Sequence, residues 1–175
     1  MRGKTHTSSG LVFVGPRTLG HYGRRPVARI RKFEISDLER ILTIERASFG
    51  NDAWDEKMFL AFLRKCPDLF LVATVRRRIA GYTITCTRSK NAELASIAVD
   101  PRDRRAGVGE AMLNHTLAEL LALDVKTWWL MVETKNEPGI RFYEKYGFKR
   151  DKIVKRYYGP GRDGWRMRFK ATAAN

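Results

Sequence analysis

Ala98-Val99-Asp100-Pro101-Arg102-Asp103-Arg104-Arg105-Ala106-Gly107-Val108-Gly109-Glu110-Ala111-Met112-Leu113 reads as an apolar strand, a short turn with arginines and two glycines, and the start of an amphipathic helix. That order suits a pyrophosphate. The first N–H groups of a helix lack intrahelical partners, and the helix dipole favours an anion beside them. Gly107 and Gly109 carry no side chain to hold a phosphate off the backbone, and Arg104 and Arg105 add positive charge. The spacing is not a Walker loop, which ends in Gly-Lys-Ser/Thr. It is not the three-glycine dinucleotide fingerprint either.

The chain around this turn has 175 residues, enough for one domain with its own core. No apolar run reaches the roughly 20 residues of a membrane helix, so no membrane partner is expected. Three scattered histidines and two isolated cysteines, Cys66 and Cys86, show no metal-ligand spacing, and no metal is expected. Two lone cysteines suit a reducing cytoplasm better than a disulfide scaffold. The net charge of +15 is uneven. Residues 1–32 hold eight basic and no acidic side chains, residues 33–100 ten of each, and residues 101–175 sixteen and nine, giving +8, 0 and +7. Such charge suits a polyanionic cofactor, RNA or a ribosome surface, and it also suits plain solubility.

Residues 1–26 contain five glycines and two prolines and keep no helical or strand period. They read as a basic, disordered extension, with the folded domain at 27–175. Within it, residues 27–33 alternate as a strand. Ser36 and Glu39 suggest a capping box before a helix bearing Leu38, Ile41, Leu42 and Ile44. Asp55 is expected to cap a second helix with Met58, Phe59, Phe62 and Leu63 inward. Residues 69–75, 79–87 and 92–99 read as strands, with the tip of a hairpin at 76–78. Leu113, Leu117, Leu120 and Leu121 give the next helix one apolar face. Residues 127–132 form a buried strand. Asn136 is expected to cap a short helix that ends before Gly147. Residues 148–157 and 165–169 complete the strands. The order is that of a single α/β domain with a mixed, mostly antiparallel sheet flanked by helices.

Three separated motifs resemble one family, the GCN5-related N-acetyltransferases. The first is Arg104-x-x-Gly107-x-Gly109. The second is Val132-Glu133-Thr134-Lys135-Asn136 followed by Tyr143-Glu144-Lys145-Tyr146-Gly147-Phe148. The third is Tyr157-Tyr158 with Asp163 to Met167, which is similar to the ending of the ribosomal-protein and protein N-terminal acetyltransferases. The resemblance implies acetyl-CoA as co-substrate and a protein N-terminal α-amine as acceptor. Ile97, Ala98 and Val99 would offer backbone groups to the pantetheine arm. Arg104, Arg105, Ala106, Gly107, Val108, Gly109 and Glu110 would cradle the pyrophosphate. Asn136 would bond the cofactor, and Tyr143 would serve as acid beside the sulfur. Phe49, Trp54, Tyr157 and Tyr158 would border the acceptor. Relatives in that branch carry a glutamate where this chain has Met131. Glu133 lies two residues on, hence on the same strand face, and stands as the substitute base.

Each assignment has a plainer reading beside it. Tyr143 fits a core aromatic, Asn136 a helix cap, Glu133 a surface charge, Tyr157 and Tyr158 strand aromatics, and Phe49 and Trp54 the core. The chemistry favours an α-amine, with a pKa of about 7.7–8.0 against about 10.4 for lysine, which costs roughly 3 kcal/mol more to deprotonate. Two alternatives remain open. One is a small-molecule amine acetyltransferase. The other is a non-catalytic RNA- or ribosome-binding module, suggested by Lys155, Arg156, Tyr157, Tyr158, Arg162, Trp165, Arg166 and Arg168.

Overall fold

Seven strands form one sheet in the order β1-β2-β3-β4-β5-β7-β6, in which β4 and β5 are the parallel pair. The computed structural model describes residues 28–171; the extension at 1–26 and Val27 lie outside the described residues. In chain order the elements are β1 (Arg29–Lys32), α1 (Leu38–Phe49), α2 (Glu56–Lys65), β2 (Phe70–Val75), β3 (Arg78–Arg88), β4 (Asn91–Val99), α3 (Val108–Ala122), β5 (Thr127–Glu133), α4 (Glu137–Lys145), β6 (Lys149–Val154) and β7 (Gly164–Lys170). The mixed, mostly antiparallel sheet is the architecture expected from the sequence.

The helices cover the two faces unequally. α1 and α2 bury Ile41, Ile44 and Phe59 against Phe70, Val72, Tyr82, Ile84 and Ala98 on one face of β2, β3 and β4. On the other face, α3 sets Leu113, Leu117 and Leu120 against Leu94, Trp128, Leu130 and Val132, and α4 adds Ile140 beside Met167. Trp128, Leu130 and Val132 point to α3, so strand alternation turns Trp129, Met131 and Glu133 to the opposite side. There they are only partly buried.

Two irregularities open the sheet. Ile84 pairs with Ser96 and Thr85 with Leu94, so Ala95 is an extra residue that bulges β4. The β4–β5 pairing ends at Leu94–Leu130, although β4 continues to Val99 and β5 to Glu133. The strands therefore part, and the β5-facing edge of residues 95–99 is not bonded to β5.

Several local expectations change. Ser36 is not a cap. Asp37 accepts from the Glu34 N–H (2.9 Å) and is itself held by Arg31 (2.7 Å), so a charged, anchored carboxylate takes that position. Met58 is exposed because it lies on the outer side of α2, whose inner side is led by Phe59. β6 stops at Val154, and Tyr157 and Tyr158 sit in the β6–β7 loop, where Arg156 takes a positive φ of 56°. Leu121 is partly buried at the margin of the core. Cys66 and Cys86 are joined as a disulfide, with Cα atoms 5.1 Å apart. Cys66 ends α2 and Cys86 lies on the β3 face that α2 covers, a juxtaposition that spacing along the chain does not reveal.

Candidate active site

The turn after β4 is pinned by charge. Asp100 is buried, accepts from the Arg102 backbone N–H (3.0 Å), and pairs with Arg40 of α1, Arg78 of β3 and Arg102. The Arg102 hydrogen bonds, with the charge of Arg40, hold its carboxyl well below the usual range. Asp103 adds a two-pronged bond to Arg78 (2.8 and 2.9 Å). β4, β3 and α1 thus fix where the glycine turn leaves the sheet.

α3 begins at that turn without a capping side chain, because its N-cap is Gly107 at φ +86°. The contrast with its neighbours is direct. Asp55 caps α2 through the Met58 N–H (2.9 Å), and Asn136 caps α4 through the Gly139 N–H (3.0 Å). A Cβ at Gly107 would meet nothing within 4 Å, so the approach is open. Gly109 instead serves close packing. A Cβ there would lie 3.5 Å from Val99 and 3.6 Å from Phe142, where α3 meets β4 and α4. Val108 is buried and Ala106 packs beside it. Arg105 holds a positive φ of 61°. Arg104 reaches the Val99 carbonyl (3.3 Å) and Ser48 Oγ (3.2 Å), and Glu110 pairs with Lys145 (2.6 Å). An uncapped helix N-terminus with an open glycine approach fits a diphosphate. The edge of residues 95–99 that β5 leaves unpaired, its Val99 carbonyl taken by Arg104, continues from it and fits an amide-bearing arm added as a strand. Asn136 is engaged as the cap of α4.

The other end of the wedge is made of side chains. Met131 and Tyr157 close over Gly164, where a Cβ would fall 2.8 Å from Met131 Cε and 3.1 Å from Tyr157 Cβ. Tyr157 and Tyr158 meet edge to face at 4.9 Å. Arg162 of the β6–β7 loop grips both oxygens of Glu133 (2.9 and 3.0 Å) and reaches Asp52 of the α1–α2 connection (2.7 Å). This clasp ties the two loops across the mouth of the wedge. Trp54 is less a pocket wall than part of the α2 cluster, stacked on Phe62 at 4.7 Å, with its backbone N–H on buried Glu45 (2.9 Å). Phe49 is 41% exposed at the end of α1. Tyr143 packs edge-on against Phe142 and Phe148, and burial pushes its phenol well up.

Two carboxylates compete for the role of base. The Arg162 hydrogen bonds hold Glu133 below the ordinary glutamate range. Glu93 of β4 is pushed the other way by burial, against a smaller effect of Lys65. It pairs in register with Cys86 and Trp129, lines a cavity of about 640 Å³ with Lys65 and Trp129, and lies two residues before the Ala95 bulge. Its charge also raises the Tyr157 phenol, after burial. Sequence reasoning missed Glu93, Asp52 and Arg162. The available signal was an acid inside the otherwise small and apolar run 92–99. Among the described residues, no group of three or more His, Cys, Asp or Glu forms a metal site, and no helix is long and apolar enough to cross a membrane.

Residues 36–148 match the model of the Acetyltransferase (GNAT) family. The chain is 35% identical over 135 residues to the [ribosomal protein bS18]-alanine N-acetyltransferase of Escherichia coli K12, covering 77% of this chain and 89% of that one. It is 28% identical over 152 residues to an N-alpha-acetyltransferase of Sulfurisphaera tokodaii, covering 79% and 90%. The crystal structure of Ard1 from Thermoplasma volcanium superposes with a TM-score of 0.78 at 28% identity, covering 83% of this chain and 99% of that one. The chain belongs to the Acetyltransferase (GNAT) family.

Proposed function

We propose that this protein transfers the acetyl group of acetyl-CoA to the α-amine of a protein N-terminus, directly, in a ternary complex. The observation that carries the reading is the Glu133–Arg162–Asp52 clasp, which closes the mouth of the wedge from the side and favours a chain end entering end-on. The names of the two relatives, acting on a ribosomal-protein alanine and on α-amines, support the acceptor class and suggest association with the ribosome.

Acetyl-CoA supplies an activated thioester; the chain's own residues do the rest. The first-turn N–H groups of α3, with Arg104 and Arg105 beside them, hold the diphosphate. The free edge of residues 95–99 aligns the arm and directs backbone N–H groups at the reacting carbonyl. Glu93, through a water, takes the proton that the amine loses as its nitrogen bonds the acyl carbon. The carbon–sulfur bond breaks, and Tyr143, kept neutral by burial, donates its phenol hydrogen to the departing sulfur. Glu133 positions Arg162 rather than moving a proton. Tyr157 and Tyr158 flank the incoming terminus.

The test is acetylation of a peptide with a free N-terminus and one internal lysine, located by fragment mass spectrometry. Label at the α-amine supports the reading; label mainly at lysine, or on polyamines alone, overturns it. We assign the enzyme to the cytoplasm with its acceptor. The Cys66–Cys86 bond is uncommon in that compartment, and alkylation of freshly lysed cells reads which state occurs.

A further inference from the structure

The half of the sheet that α1 and α2 leave uncovered carries a concentrated positive charge. In register, Arg168 lies opposite Trp129 and Lys149, and Arg166 opposite Met131. Lys152 pairs with Arg166 on its other side, and Lys170 pairs with Thr127. All five cations share the face of Trp129 and Met131, since Trp165, Met167 and Phe169 of β7 point to the α3 core. Lys149, Lys152 and Lys170 are exposed, and Arg166 and Arg168 keep 28% and 31% of their side chains in solvent. Among the described residues, Asp151 in the β6 bulge is the one carboxylate paired with them, and both arginines share it.

Like charges directly opposite on neighbouring strands are destabilising. Here they occur twice, at Lys149–Arg168 and Lys152–Arg166. Glu93 borders this face beside Trp129, and Glu133 at its far end is already held by Arg162, so the five cations still outnumber the carboxylates around them and leave a field that a bound polyanion would neutralise. Trp129, partly exposed in the same row as Arg168, offers a flat ring within that field. Cations spaced about 6.8 Å along a strand and about 4.8 Å across strands, with an aromatic platform between, suit a phosphate chain with stacked bases. The eight basic and no acidic residues of 1–32 add charge of the same sign. The face differs from the run suggested by sequence alone: Lys155 is paired with Asp163, Arg162 is committed to the clasp, and Trp165 turns to the core. We propose that the open face of β5, β7 and β6 is an RNA-binding surface that holds the phosphate backbone of a single-stranded segment beside the acceptor mouth.

The test is fluorescence anisotropy of the full chain with a mixed-sequence, single-stranded RNA of about 20 nucleotides, at about 50 to 200 mM salt. The combined variant Lys149→Glu, Lys152→Glu, Lys170→Glu is compared with the wild type. The variant should bind roughly a hundredfold more weakly at the low-salt end, and its log–log salt slope should be shallower by about 2, from three lost phosphate contacts. Acetylation of the peptide substrate should stay within twofold, which also verifies folding; a milder Lys→Gln set replaces the variant if it does not. Unchanged affinity and slope in the variant would overturn the proposal. So would polyglutamate of matched length binding more tightly than RNA and being lost in the same variant, which would assign the face to acidic polypeptides.

Discussion

The two ends of the β4–β5 wedge are built from different materials. The donor end is backbone: an uncapped helix start, an open glycine and a strand edge that β5 leaves unpaired, all between Ile97 and Glu110. The acceptor end is side chains: Asp52, Glu93, Glu133, Tyr157 and Arg162, brought together from separate segments. A backbone site is written in a short run of sequence, since what it needs is glycine, a helix start and the absence of a cap. A side-chain site depends on which strands become neighbours, and the same residue types elsewhere in the chain are ordinary surface charges.

Several measurements set the ends against each other. The largest effect is expected at the acceptor end from Glu93→Gln, which should cut kcat about 10²- to 10³-fold without changing acetyl-CoA affinity. Burial holds the Glu93 carboxyl above its ordinary value of about 4.3, so the acid limb of the wild-type pH profile should lie higher than that. The deficit of the variant should shrink above the α-amine pKa of about 8. Glu133→Gln should cost far less in kcat. Equal losses in the two variants would contradict the separation of their roles.

Next is the Cys66–Cys86 bond, which closes a loop spanning a separation of 20 residues beneath the acceptor end. Its reduction should lower stability by about 3 kcal/mol in denaturant unfolding. At the donor end, Asp100→Ala should cost about 2–3 kcal/mol, less than the roughly 3–5 kcal/mol for breaking a fully buried pair because its arginines are partly exposed. Its folded-state pKa is depressed, so its stabilisation is present above the unfolded value of about 3.9 and is lost as pH falls through the folded one. Acid titration of the two proteins should converge in that window. Arg162→Ala should raise the peptide KM about tenfold and leave acetyl-CoA binding alone. The smallest effect is Gly107→Ala, about 1 kcal/mol of strain at a left-handed position, read as a drop of a few degrees in Tm.

The fold was readable because its signals are local. Leu113, Leu117 and Leu120 mark α3 by their period, Asp55 and Asn136 cap the helices expected of them, and the glycine turn follows its strand. What was not readable depends on packing. Ser36 lost its capping position to Asp37, whose anchor Arg31 comes from β1. The two cysteines meet because α2 folds over β3. Tyr157 and Tyr158 read as strand residues by propensity, yet they lie in a loop fixed by the Tyr158 N–H donating to the Arg162 carbonyl and the Arg156 N–H donating to Asp163. Glu133 draws notice as a base because it lies next to a motif, whereas Glu93 lies in a strand with no motif around it. The structure pairs Glu133 with a guanidinium 29 positions away, a contact invisible along the chain.

The most direct test is calorimetric titration with acetyl-pantetheine and acetyl-phosphopantetheine, which differ by a single phosphate. A donor end built on the α3 N-terminus predicts that the added phosphate tightens binding at least tenfold, about 1.4 kcal/mol, with one equivalent bound per chain. Equal affinities for the two compounds would contradict it.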